Sequence, residues 1–126
     1  MQDFKMTTET EQINKIFEIA KKNQDGFTID SNFKKVKVKK GYAVNLTNNT
    51  DINLWIAIKN ILEIKETYFK NREDINVGGW YDIDTELFYI DLSVIIKDKK
   101  TALKTARIFK QVAIFDFSVM NSIKVL

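Results

Sequence analysis

The stretch VGGWYDIDTELFYIDLSVII, residues 77–96, decides the fold because it predicts a β-hairpin that ends in the most regular strand of the chain. VGGWYD is interpreted as a short strand, IDTE as a turn and LFYIDLSVII as a long strand. Along the long strand, apolar and polar side chains alternate as they do when one face is buried. Tyr89, Asp91 and Ser93 then share the outer face. The predicted core face consists of Phe88, Ile90, Leu92, Val94 and Ile96.

The segments on either side of this hairpin alternate between helices and strand pairs. A first helix is predicted over residues 9–23, because Thr8 stands three residues before a glutamate, the spacing of a capping box. A second helix is predicted over INLWIAIKNILEIKETYFKN, with Thr50 or Asp51 as its N-cap, and a third begins after Asp98. The remaining predicted strands are GFTID, KKGYAVNLTNN, VAIFDF and IKVL.

The resulting order, α-β-β-α-β-β-α-β-β, predicts an α+β fold. We expect a mainly antiparallel sheet of about six strands, with the three helices on one face. The 126 residues are expected to form a single compact domain, residues 1–126, with a short flexible N-terminus before Thr8. No segment has the roughly 18 apolar residues of a membrane span, and the N-terminus lacks an apolar signal core. We therefore expect no membrane association and a cytoplasmic location.

The composition argues against several classes of enzyme. The chain contains no cysteine and no histidine. Disulfides, zinc–thiolate sites and a cysteine nucleophile are excluded, and the commonest general base is missing. We therefore expect a protein that is not an enzyme, with no catalytic residue, no metal site and no cofactor. The net charge of +3 is too small to imply nucleic-acid binding by itself.

The hairpin concentrates carboxylates without any neighbouring Lys or Arg, which leaves two interpretations open. Asp82, Asp84, Glu86 and Asp91 could hold a divalent cation through oxygen ligands or divide acid–base roles. Asp is also favoured in turns because its side chain hydrogen-bonds its own backbone, and this interpretation is preferred for the first two. Asp91 lies in the middle of a strand, where a solvated face would explain it.

The paired glycines before Trp80 resemble no phosphate-binding loop, since no helix follows at the required distance. They favour a bulge or a close backbone approach, and they blur the parity of the strand. A core position is the preferred interpretation of Trp80, and an exposed anchor for a partner is the alternative. The predicted binding surface of the hairpin comprises Trp80, Tyr81, Asp82, Asp84, Glu86, Tyr89 and Asp91.

The run KKVKVKK, residues 34–40, is the main candidate for a nucleic-acid contact. Lysines on one strand parity could follow a phosphate backbone, whereas an edge strand protected by lysines would show the same pattern. Aromatic residues that could stack on bases occur only at its ends. The predicted basic surface comprises Lys34, Lys35, Lys37, Lys39 and Lys40.

Residues 25–117 resemble small accessory proteins of phages and other mobile elements. The matching features are a GFT-hydrophobic-Asp strand, a GYxV strand, a GGW-x-D hairpin, a D-x-x-x-A helix and an A-hydrophobic-aromatic-D strand. The hairpin turn departs from this pattern, because Glu86 follows Thr85 where the pattern has glycine. The resemblance implies a role against host defences, as in anti-CRISPR proteins that occupy a surface of an effector nuclease. It implies no catalytic residues.

Three functions follow as hypotheses. The first is a non-enzymatic binding protein of a phage or mobile element that inhibits a CRISPR effector or another defence nuclease, with a host protein or ribonucleoprotein complex as its partner. The second is a nucleic-acid-binding accessory protein that uses the basic surface. The third is a metal-dependent nuclease built on Asp82, Asp84 and Asp91. The sequence makes no prediction about the oligomeric state.

Overall fold

The computed structural model describes residues 8–47 and 49–125, which form three helices and seven strands. The elements follow the predicted order, with one additional strand, and the predicted flexible segment before Thr8 lies outside the described residues. In chain order they are α1 (Glu9–Lys22), β1 (Phe27–Ile29), β2 (Tyr42–Asn45), β3 (Asn49–Asp51), α2 (Leu54–Tyr68), β4 (Asn76–Asp82), β5 (Leu87–Ile96), α3 (Lys99–Ile108), β6 (Ala113–Asp116) and β7 (Asn121–Lys124).

The strands form one antiparallel sheet in the order β1-β4-β5-β2-β6-β7, with β3 paired to β5 beside β2. β5 is the centre of this sheet because its ten residues are long enough for three partners. β4 pairs along one side of it, and β2 and β3 pair in succession along the other. The predicted α+β fold with an antiparallel sheet is confirmed.

The hydrophobic core lies between the sheet and the helices. The alternation predicted for β5 is confirmed, since Ile90, Leu92 and Val94 are buried together on one face. α2 contacts β5 and β3, α3 contacts β2, β5 and β6, and α1 packs against α2. Phe17 of α1 meets Trp55 of α2 edge-to-face, with ring centroids 6.1 Å apart. All three helices therefore lie on one side of the sheet, and each buried Ile or Leu contributes roughly 1.5–3 kcal/mol.

Two of the three predicted helix caps are confirmed. The Thr8 Oγ1 accepts a hydrogen bond from the Glu11 N–H at 3.1 Å, and Asp98 caps α3. The prediction of Thr50 or Asp51 for α2 is wrong. Those residues belong to β3, where backbone pairing with β5 holds them extended.

Asn53 is the N-cap of α2 instead. Its Oδ1 accepts from the Ile56 N–H at 3.1 Å, and Asp51 Oδ1 in turn accepts from the Asn53 N–H at 2.8 Å. The residues predicted to cap α2 therefore form a short strand that runs directly into the observed cap. Both Asx hydrogen bonds satisfy backbone donors at the helix start.

The lysine-rich run does not form the predicted strand. Lys35 makes a single bridge to Ile29 of β1, and residues 36–41 belong to no strand. The topology explains this difference, because β4 and β5 separate β1 from β2 in the sheet. Only the start of the run follows β1, where the Val36 N–H donates to the Thr28 carbonyl at 2.9 Å. The lysines beyond it lie in the connection to β2 and outside any strand, so the alternating parity predicted for them has no structural counterpart.

Within residues 8–47 and 49–125, no helix is both long enough and apolar enough to span a bilayer.

Candidate functional site

The β4–β5 hairpin arranges its side chains in cross-strand pairs on both faces of the sheet. Its register is continuous, from Asn76 opposite Ser93 to Asp82 opposite Leu87. Val77 and Leu92 are buried on the helix side, so the neighbouring residues along each strand point to the other side of the sheet. We call that side the outer face. Its hairpin pairs are Trp80 with Tyr89, Gly78 with Asp91, and Asn76 with Ser93.

The turn of the hairpin is capped by its own carboxylate, as predicted. Asp82 Oδ1 accepts a hydrogen bond from the Asp84 N–H at 2.9 Å, and the Asp82 carbonyl accepts from the Glu86 N–H at 2.7 Å. Glu86 adopts φ of 58°, the left-handed region that favours glycine. The sequence pattern and the backbone thus agree that this position suits glycine. Asp84 and Glu86 are exposed on the turn and give the hairpin tip its negative charge.

Trp80 lies exposed on the outer face, and the preferred prediction of a core position is wrong. Its side chain is 43% exposed, and its ring stacks on Tyr89 with centroids 4.8 Å apart and planes 15° from parallel. The predicted bulge is absent because the register passes through both glycines without interruption. Trp80 therefore keeps the parity opposite to Val77 and faces outward.

The two glycines permit close approach on opposite faces. A Cβ on Gly79 would lie 2.6 Å from both Ile90 Cδ1 and the Tyr89 carbonyl, on the core side. A Cβ on Gly78 would lie 3.1 Å from Asp91 Oδ1 on the outer face. The predicted close backbone approach is thus confirmed, and the sequence left open only which face each glycine serves.

Tyr81 does not belong to the outer face, although the sequence grouped it with Trp80. It pairs with Phe88 across the hairpin, and their rings lie 4.6 Å apart on the core side. Alternate residues of a strand point to opposite faces, so these two neighbours cannot form one surface. The structure brings together Trp80, Tyr89 and Asp91, and Asp82 shares their parity at the end of the strand.

Asp91 is the electrostatic feature that the sequence did not anticipate. Its carboxylate and the Thr28 hydroxyl both border the space that Gly78 leaves free, since a Cβ there would lie 3.1 Å from Asp91 Oδ1 and 3.4 Å from Thr28 Oγ1. It retains some solvent contact, but crowding by neighbouring strands raises its pKa to about 6. Among the described residues it has no hydrogen-bond or ion-pair partner. Asp91 therefore keeps only part of the solvation that the sequence interpretation assumed.

Asn76 and Thr28 were not predicted to belong to the outer face, whereas Ser93 was predicted on that face but not as part of the binding surface. Asn76 and Ser93 are buried polar residues next to Asp91, and Thr28 lies across from Gly78 on β1. The hairpin register would have found Gly78 opposite Asp91, since both strands and the turn were predicted. Nothing in the sequence indicated that β1, rather than β2, pairs with β4, and so Thr28 was missed.

The carboxylates of the hairpin do not converge. Asp82 and Asp91 share a face, but four residue steps along the strands separate them, about 13 Å at the rise of an extended chain. Across the described part of the chain, no group of three or more carboxylates is placed to hold a metal ion. The geometry therefore gives no support to a shared cation site on Asp82, Asp84 and Asp91.

The basic surface is a separate feature of the structure. All five of its lysines are exposed on the connection between β1 and β2, and none belongs to an ion pair among the described residues.

Comparisons with protein-family models, curated proteins and solved structures found no match to this chain.

Proposed function

We propose that this chain is a non-enzymatic binding protein that presents the outer face of its hairpin to another macromolecule. The observation that carries the proposal is the exposed Trp80 stacked on Tyr89. Exposed Trp and Tyr residues are enriched at the centres of protein interfaces, where they bury large area with little loss of side-chain entropy. Asp82, Asp84 and Glu86 would form the charged rim of such an interface.

The partner we propose is a host defence nuclease in the cytoplasm, such as a CRISPR effector or its ribonucleoprotein complex. Two things support this choice, namely the resemblance to accessory proteins of phages and mobile elements and the negative charge at the hairpin tip. A nuclease binds its substrate in a positively charged channel, and an acidic hairpin is electrostatically complementary to that channel. The chain would act by occupying a surface, in proportion to its amount.

A cleavage assay with purified effector complexes tests this proposal. Inhibition should saturate near one chain per complex, and Trp80→Ala should weaken it at least tenfold, as expected for a central aromatic anchor. Tyr68→Ala is the matched control, because Tyr68 is also an exposed aromatic residue, 75% accessible, but lies at the end of α2. Absence of inhibition and of capture for all complexes tested, together with unchanged interference in cells, would reject the proposal.

The alternative function is a nucleic-acid-binding accessory protein that uses the basic surface. It is supported by the five exposed lysines on one short connection, none of which is neutralised by a described carboxylate. Binding to single- and double-stranded DNA and RNA should then fall steeply with salt, because each neutralised phosphate releases a counterion. Replacing Lys37, Lys39 and Lys40 with Gln should reduce that salt dependence. Flat binding curves at low salt would exclude this function.

A further inference from the structure

The outer face combines an aromatic platform with a carboxylate that lacks a partner. Trp80 and Tyr89 are directly opposite one another, and Asp91 is two residues beyond Tyr89 on the same face. Such diagonal neighbours across a strand pair lie about 7–8 Å apart, within reach of a single long side chain. The platform and the carboxylate can therefore contact one ligand group at the same time.

Space for such a group exists beside the Trp80 ring. Tyr89 covers one side of Trp80, and on its other side the β1–β4 pairing ends at Phe27 opposite Gly79, next to Gly26. A Cβ on Gly26 would meet only the Gly79 carbonyl among the described residues, at 3.8 Å. No described cation or further aromatic ring packs on Trp80. We therefore take the side of the indole toward β1 as the face available to a ligand.

The chemistry of this site selects a cation, and its shape selects a planar one. The face of an indole ring attracts cations, and a carboxylate with little hydration gains most from a charge-assisted hydrogen bond. A guanidinium is planar, more weakly hydrated than an ammonium and able to stack on a ring while donating to a carboxylate. Arg is also enriched, together with Trp and Tyr, at the centres of protein interfaces.

We propose that Trp80, Tyr89 and Asp91 form a recognition site for an arginine side chain of a protein partner. The guanidinium stacks on the open face of Trp80 and donates hydrogen bonds to the Asp91 carboxylate, whose position is fixed by the absence of a side chain at Gly78. This inference rests on the proposed binding function and specifies the chemistry of its central contact.

The probe for the experiment is N-acetyl-arginine N-methylamide, titrated into the uniformly ¹⁵N-labelled protein. The chain contains two tryptophans, so the two indole N–H resonances provide a reporter and an internal control. The Trp80 resonance should shift and saturate with a Kd in the low millimolar range, on the order expected for one side chain. The resonance of Trp55, which packs against Phe17 between α1 and α2 on the helix side of the sheet, should not move.

Two comparisons give the result its specificity. The matching citrulline amide has nearly the same shape without the charge, and the lysine amide has the charge without the plane. Both should bind at least fivefold more weakly than the arginine amide. Asp91→Asn should weaken arginine binding about tenfold, whereas Asp84→Asn, which removes the same charge from the exposed turn of the same hairpin, should change it less than twofold.

Equal binding of citrulline or lysine, or an Asp91→Asn variant with unchanged affinity, would overturn the inference. The comparison of amides uses only the unmodified protein, so the test does not depend on the folding of a variant. Partner inhibition without arginine binding would reject this inference and leave the proposed function standing. Arginine binding without inhibition of any effector complex tested would support this inference and reject the proposed function.

Discussion

Asp91→Asn is expected to stabilise the protein at neutral pH and to leave its stability unchanged in acid. Burial raises the pKa of Asp91 from its ordinary value of 3.8 to about 6, so the folded protein binds this proton more tightly than the unfolded chain. Below pH 4 the carboxyl is protonated in both states, and its contribution to stability is fully present. As the pH rises through 6, the folded state must hold a poorly hydrated charge, and that contribution is lost.

The size of the effect follows from the same values. The two pKa values differ by about two pH units, and each unit corresponds to about 1.4 kcal/mol, which gives an upper limit of about 3 kcal/mol. Asp91 keeps part of its surface in contact with solvent, which reduces the penalty. We therefore expect a gain of about 1–3 kcal/mol at pH 8 for an amide of nearly the same shape.

Urea denaturation followed by circular dichroism, at intervals between pH 4 and pH 8, measures this gain. The difference in the free energy of unfolding between Asp91→Asn and the unmodified protein should grow from near zero at pH 4 to its full value above pH 7. Asp84→Asn is the control, because Asp84 is exposed on the turn, and its difference should stay within about 0.5 kcal/mol. Destabilisation by Asp91→Asn at pH 8, or a gain independent of pH, would refute the reasoning.

Three further substitutions test the local geometry by the same denaturation assay. Glu86→Gly should stabilise the hairpin by about 0.5–1 kcal/mol, because glycine adopts φ of 58° without strain, and Thr85→Gly should give no gain. Gly79→Ala should destabilise by about 2 kcal/mol or more, since its Cβ would lie 2.6 Å from the Tyr89 carbonyl, and a neutral result would contradict that contact. Asn53→Ala should remove about 1 kcal/mol as the cap of α2, whereas the adjacent exposed Ile52→Ala should remove less than about 0.5 kcal/mol.

The sequence predicted those elements whose signals are local. The period-two alternation of β5 and the turn chemistry at Asp82 each act within a few residues, and both predictions are confirmed. The caps at Thr8 and Asp98 are confirmed for the same reason, since a side chain three residues from a free backbone N–H needs no distant partner. Local chemistry therefore fixed most of the secondary structure.

The predictions that failed depend on which strands become neighbours. Asn49–Asp51 is a strand only because the end of β5 beyond β2 offers free backbone groups to pair with. The lysine run is not a strand because β1 and β2 are separated by two others in the sheet. Neither relationship leaves a mark within the segment itself, so propensity and periodicity could not have revealed them.

The candidate site shows the same division in its most informative residues. The strand pattern placed Tyr89 and Asp91 on one face, which was sufficient to predict a surface but not the burial of the Asp91 carboxylate. That burial depends on Gly78, which lies opposite Asp91 and leaves space for the carboxylate close to the sheet. Its neighbour Gly79 likewise leaves space for Ile90 on the core side, where a Cβ would lie 2.6 Å from Ile90 Cδ1.

The paired glycines therefore serve both the packing of the hairpin and the proposed binding site, because each faces a different side of the sheet opposite β5. With side chains at both positions, β5 could not approach β4 on the core side, and Asp91 would be displaced toward water on the outer face. A displaced carboxylate would be fully hydrated and would gain little from a guanidinium, whereas the one in this structure is already partly desolvated in the free protein. A cation that binds Asp91 would remove a penalty already present in the free protein. The outer face thus favours partners that bring a positive charge over the face of the Trp80 ring, within reach of Asp91.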